Sequence, residues 1–153
     1  MSLAQETEMG RAEIDEFVAS RETGVLTLAK DDEPYSIPVS YGYDASTETF
    51  YMRLVSTPES EKRKFLDSSP DIRLVIYDGN PERTVYWSVV AKGALEELEP
   101  AELSVDQIEQ YGEATRPLFE IWGKDRDELD IKLYEFQPDE MEGRTTELDR
   151  EPL

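Results

Sequence analysis

Short runs of β-branched and aromatic residues, each ended by Gly, Pro, Asp or Asn, follow one another along this chain, and few folds accept a chain so divided. Gly24 to Lys30 is the first run, closed by the turn Asp31-Asp32-Glu33. Pro34 to Tyr43 follows, and its two prolines suit an edge or bulged strand, because proline cannot donate to a ladder. After the polar stretch Asp44 to Glu48 comes Thr49 to Val55. There a two-residue period puts Tyr51 and Arg53 on one face and Phe50, Met52 and Leu54 on the other. Ile72 to Tyr77 leads into a turn at Asp78 to Pro81. A longer run, Thr84 to Lys92, passes through Gly93 into Ala94 to Leu98, the glycine marking a bend or bulge of the kind that closes barrels. Leu129 to Phe136 is the last run. The polar residues after it, Gln137 to Leu153, read as loosely ordered, as do residues 1–9.

Helical spacing interrupts this pattern in three places. Ile14, Phe17 and Val18 recur at i, i+3, i+4 within Arg11 to Ser20. Ser56-Thr57-Pro58-Glu59 has the hydroxyl, proline and glutamate of a helix start, and the helix should run through Leu66 and stop at Asp67 to Pro70. A third helix opens at Ser104, with Leu103, Ile108 and Tyr111 on its buried side, and breaks near Pro117 on the way to Trp122. Six or seven short strands with two or three peripheral helices give a β-dominated α+β class, an antiparallel barrel closed or partly closed, rather than a βαβ fold. A length of 153 residues suits one domain, 1–153, with a single core.

Charge decides what such a barrel could meet. The chain has 36 Asp and Glu against 16 Lys and Arg, a formal net charge of −20, yet 38% of its residues are hydrophobic, too many for a disordered acidic chain. Six of the cations are Lys and ten Arg. The acids run through the whole chain, which reads as the halophile solution to staying soluble where salt screens repulsion. Nucleic acid and anionic membranes both need clustered Lys and Arg, so neither is expected as a partner. With no Cys and no His, thiolate nucleophiles, disulfides, Cys/His metal sites and a Ser-His-Asp triad are excluded by inventory, and no metal is expected. No apolar run approaches the roughly 20 residues that span a bilayer, and the N-terminus lacks a signal-peptide layout, so the expected location is the cytoplasm.

Two segments could carry chemistry. The Ser56 to Lys64 segment combines a helix start, which offers N–H groups and a positive dipole end to an anion, with hydroxyls and with Lys62, Arg63 and Lys64, the densest cationic cluster in the chain. Ser60 and Lys62 are the candidates for holding a phosphate. The same residues could instead cap the helix and pair with Glu59 and Glu61 in solvent, and spacing leaves both readings open. In Ser36 to Tyr43, prolines and small residues leave backbone groups that a neighbouring strand cannot fully pair. A planar heterocycle could use them, or the segment is simply a protected edge.

Taken in order, Gly24 to Leu28, Pro34 to Asp44, Phe50-Tyr51-Met52-Arg53, Ser60-Glu61-Lys62 with Leu66 and Pro70, and Trp87 to Gly93 resemble the pyridoxamine 5′-phosphate oxidase-like, FMN-binding split-barrel family, over roughly Ile14 to Leu98. With the acidic composition, the resemblance is to a haloarchaeal-type member. It implies a homodimer with FMN at the subunit interface and a flavin-dependent oxidoreductase acting on a small molecule. It also implies site residues. Ser60 and Lys62 match the phosphate positions, Arg53 sits in the preceding strand facing them, and Pro38, Val39 and Ser40 match the strand along the ring. Trp87 and Ser88 match the strand that reaches the flavin from the partner. For Trp87 a core or interface role is the alternative.

The departures bear on activity. Pyridoxamine phosphate oxidases end in a substrate-binding segment containing Arg and Trp, which Glu140 to Glu147 does not resemble, so the vitamin B6 reaction is not expected. Where the family's phosphate motif often has Arg, this chain has Glu61. No catalytic residue is identified. A binding dimer that keeps the barrel without catalysis, and a reductase using a deazaflavin coenzyme, stand as the alternatives.

Overall fold

The computed structural model describes residues 4–56, 60–68, 71–99 and 130–148. In chain order these form β1 (Ala4–Glu8), α1 (Arg11–Ala19), β2 (Thr23–Lys30), β3 (Glu33–Ser40), β4 (Gly42–Asp44), β5 (Thr49–Ser56), α2 (Glu61–Ser68), β6 (Asp71–Asn80), β7 (Val85–Leu98) and β8 (Asp130–Leu148). The strands make one antiparallel sheet in the order β3-β2-β6-β7-β8-β5-β4, with β1 added on β8. This is the β-dominated split barrel that the strand pattern predicts.

Local chemistry explains the joints. Asp31 and Asp32 both have positive φ, 50° and 65°, as a two-residue hairpin loop matched to strand twist requires, and Asp tolerates that region better than most residues. The β7–β8 ladder shifts register between Lys92 and Gly93, which is the bulge the glycine announces. A Cβ at Gly93 would lie 2.9 Å from the Phe136 ring and 3.0 Å from the Gln137 carbonyl oxygen, so the bend tolerates no side chain there. Inside the barrel Leu26, Leu28, Leu74, Ile76, Val89, Phe50, Met52 and Phe136 are sealed from solvent. Ile14, Phe17 and Val18 bury the inner face of α1 as the spacing predicts.

Several expectations need correction. Eight strands are described rather than six or seven, because β1 and the three-residue β4 are strands as well. Neither residues 4–8 nor residues 137–148 are loose: β8 runs on to Leu148, paired with β7 along one edge and with β1 along the other. Its polar composition hides a two-residue period in which Met141 and Gly143 are buried while Glu140, Glu142 and Arg144 face water. The helix start placed at Ser56 is also displaced. Ser56 is the last residue of β5, opposite Asp130, and α2 begins at Glu61. Asp78 to Asn80 still belong to β6, and the turn is Pro81 to Thr84. The helix expected from Ser104 to Trp122 lies outside the described residues.

Two tyrosines tie α1 to the barrel wall. The Tyr41 hydroxyl donates to the Val18 carbonyl oxygen at 2.7 Å, and the Tyr43 hydroxyl donates to the Asp15 carboxylate at 2.7 Å. Burial raises the pKa of both, with the Asp15 hydrogen bond adding to it at Tyr43. Burial and the neighbouring Glu97 push Tyr134 up to about 12. Between the unfolded tyrosine pKa of 10.0 and these higher folded values the unfolded chain binds fewer protons, so stability falls as pH rises through that window. The burial-lowered pKa of Lys62 works in the opposite sense below 10.5. By about pH 10.5 the three tyrosines together should cost roughly 2–3 kcal/mol. Urea midpoints at pH 8 and pH 10.5, with tyrosinate absorbance, check this. Titration of all eight tyrosines with midpoints near pH 10 while the fold stays intact would refute it.

Candidate functional site

The strongest convergence of predicted residues is where β5 ends and α2 begins. Ser60 is the N-cap: its Oγ accepts the Arg63 N–H at 3.2 Å, and its carbonyl oxygen accepts the Lys64 N–H at 3.2 Å. Lys62 turns back toward the strand and donates from Nζ to the Val55 carbonyl oxygen at 2.9 Å. Burial holds its pKa below the ordinary lysine value. An ammonium has three donors, so the bond to Val55 leaves Nζ two more for a ligand. Arg53 stands two residues before Val55 on the same face of β5, about 7 Å back along the strand. Ser60 and Lys62 therefore meet at the β5–α2 corner, and Arg53 lies on the adjoining stretch of β5.

The cationic cluster read from the sequence does not survive as a cluster. Successive helical residues point about 100° apart. Lys64 is exposed and Arg63 is buried, its charge acting on Tyr134 across the core edge. Sequence reasoning also missed Tyr35. Its ring stacks on Phe65 of α2 with centroids 4.8 Å apart and 8° between planes, and burial, with Glu61 beside it, raises its pKa. Tyr35 and Phe65 fix α2 against β3. The signal for it was present in the alternation of Tyr35, Ile37 and Val39 along β3.

The other predicted residues lie on β3 and β7. Along β3, Pro38 is exposed, Val39 faces the core and Ser40 is buried. On β7, Trp87 turns inward, its ring 6.2 Å from Phe17 of α1, whereas Ser88 faces outward opposite Tyr77 and Arg144. Alternation along a strand puts the two on opposite faces, so Trp87 behaves as a core aromatic and only Ser88 is presented outside. The register carries Arg53 to Leu133 and Leu133 to Leu98, ten residues from Ser88 along β7, which is roughly 30 Å. Along the sheet, Ser88 is therefore well removed from the β5–α2 corner of its own chain.

Among the described residues no group of three or more His, Cys, Asp and Glu is arranged to hold a metal, and no helix is long and apolar enough to cross a membrane.

Solved structures share the fold at low identity. A candidate pyridoxamine 5′-phosphate oxidase from Corynebacterium glutamicum superposes with a TM-score of 0.68 at 19% identity, covering 95% of this chain and 96% of its own. A FAD-binding protein from Mesorhizobium loti gives 0.67 at 17% identity, over 94% and 98% of the two chains. A FAD-binding protein from Mycobacterium smegmatis gives 0.63 at 15%, over 94% and 100%. No curated protein matches the sequence. The profile of the family described as pyridoxamine 5′-phosphate oxidase matches residues 10–145, nearly the whole chain. By that match the chain belongs to the pyridoxamine 5′-phosphate oxidase family.

Proposed function

We propose that this protein binds a flavin, FMN, by its phosphate at the β5–α2 corner, and that it works as a cytoplasmic homodimer in a salt-rich cell as an oxidoreductase of a small molecule. The observation that carries this is the Lys62 ammonium. It is half-buried, anchored by one hydrogen bond to Val55, and set beside the capped start of α2, where N–H groups and the helix dipole favour an anion. Arg53 and the Ser60 hydroxyl supply further donors for the same group. A bound flavin would supply hydride exchange at N5, while these residues fix its phosphate and orientation. Pro38 and Ser40 lie along the strand proposed to run beside the ring. The ten-residue run of β7 between Ser88 and Leu98, the position in register with Arg53, supports a second copy, whose Ser88 would come to the site from outside. Two structural neighbours are FAD-binding proteins, so FAD is the competitor to be measured beside FMN.

Lys62→Ala should weaken FMN binding by about ten- to hundredfold, the 1.5–3 kcal/mol of one charged hydrogen bond. Lys62→Glu should weaken it more, and riboflavin, which lacks the phosphate, should respond little to either. Fluorescence titrations in high KCl, with light scattering to read the mass, make the measurement. Equal FMN affinities across wild type and both variants would leave Ser60 and Lys62 as a helix cap and nothing more. A flavin-free monomer would return the chain to the reading of a barrel without catalysis.

A further inference from the structure

β2 and β6 pair only from Val25↔Val75 to Thr27↔Arg73, although β2 continues to Lys30 and β6 already starts at Asp71. Beyond Thr27 the two strands part, and the gap is a cleft of about 350 Å3 with Leu28, Ile72 and Gly93 among its lining. We propose that this cleft is a second ligand site, for a small organic anion with a flat apolar body, such as an aromatic carboxylate, held by Arg73 and Lys92. The proposal does not rest on the flavin reading, since it uses none of the residues at the β5–α2 corner.

The two cations are direct cross-strand partners on β6 and β7. Like charges directly opposite one another destabilise a sheet. In a chain with 36 acidic residues, a cation placed beside a carboxylate would be the easier solution. Among the described residues Arg73 has no ion-pair partner, and Lys92 has only Glu140 at 3.8 Å, a loose and half-exposed contact. An unfavourable pairing kept at the mouth of a cleft is what an anion site requires, because a bound carboxylate would turn the repulsion into a two-point contact. The row continues to Thr27, paired with Arg73, whose hydroxyl lies 2.9 Å from that of Ser36. Asp71 and Asp139 also reach the cleft and balance its charge. A bare inorganic anion therefore gains little there, whereas an aromatic acid gains from the apolar lining as well as from the cations. The volume falls in the range of small-molecule sites.

The test is calorimetric titration of the flavin-loaded and flavin-free protein with benzoate and with inorganic phosphate at fixed ionic strength. Arg73→Gln, Lys92→Gln and, as a control, Lys132→Gln are titrated beside the wild type. Lys132 pairs with Glu97 at 3.0 Å away from the cleft. Benzoate should bind the wild type saturably and more tightly than phosphate. Arg73→Gln and Lys92→Gln should each weaken it about tenfold or more, with far-ultraviolet dichroism and flavin loading unchanged, and Lys132→Gln should not alter it. No saturable benzoate binding, equal affinity in Arg73→Gln and wild type, or phosphate binding as tightly as benzoate would each overturn the proposal.

Discussion

Raising KCl from about 0.1 M to about 1 M, which shortens the screening length from roughly 10 Å to roughly 3 Å, is expected to lift the thermal midpoint of this protein by about 6–12 °C. The surplus of 20 negative charges cannot be cancelled internally. The ion pairs, such as Arg11 with Glu48 and Arg144 with Glu6, lie at half-exposed or exposed positions, where each contributes about 0.2–1 kcal/mol. Two like charges 10 Å apart repel by about 0.4 kcal/mol in salt-free water and by about 0.15 kcal/mol at a screening length of about 10 Å, so one such unbalanced neighbour for each surplus charge sums to about 3 kcal/mol at about 0.1 M. That is a large share of the stability of an ordinary domain. Sodium sulfate and KCl series at matched ionic strength separate screening from a general salting effect. A midpoint that did not move between the two KCl concentrations would remove the salt-adapted reading of the composition.

Phe50→Ala is expected to cost about 3–5 kcal/mol, and in low salt to leave the protein unfolded. Phe50 is fully buried on β5, at the centre of a ring cluster. Tyr41 meets it edge-on at 5.3 Å, Tyr43 lies tilted at 4.6 Å, and Phe136 of β8 lies near-parallel at 5.6 Å. Truncation leaves a cavity bounded by three stiff rings that cannot all move inward, because Tyr41 and Tyr43 are held by their hydroxyl bonds to Val18 and Asp15. Urea unfolding in high KCl measures the loss, and Phe50→Leu should cost distinctly less. A loss below about 1 kcal/mol for the alanine variant would mean that the cluster does not brace the β5–β8 seam.

Where side chains alternate strongly the sequence was readable. Phe50, Met52 and Leu54 against Tyr51 and Arg53 gave β5 its two faces, and Gly93 announced the bulge, because in both cases local residues meet a purely local requirement. Reading failed where partners are distant. Residues 137–148 look like an acidic tail until β1 and β7 lie on either side of them. Ser56 and Thr57 carry helix-start chemistry, yet Ser56 completes a pairing with Asp130 that no local signal could announce. At the candidate site, Ser60 and Lys62 were found because cap and cation are adjacent in the chain. Arg63 was misjudged, because helix geometry, not composition, sends it inward. Arg73 and Lys92, 19 positions apart, become neighbours only through the β6–β7 register.

β8 sets a condition on synthesis. It lies between β7 and β5 at its start and between β7 and β1 at its end, and the pairing of Ala4 with Leu148 joins residues 144 positions apart. β5, β7 and β1 therefore wait, each with an open edge, until translation has delivered residues 130–148. At about 5–20 residues per second the ribosome leaves those edges uncovered for several seconds, and the high contact order of the finished sheet slows closure further.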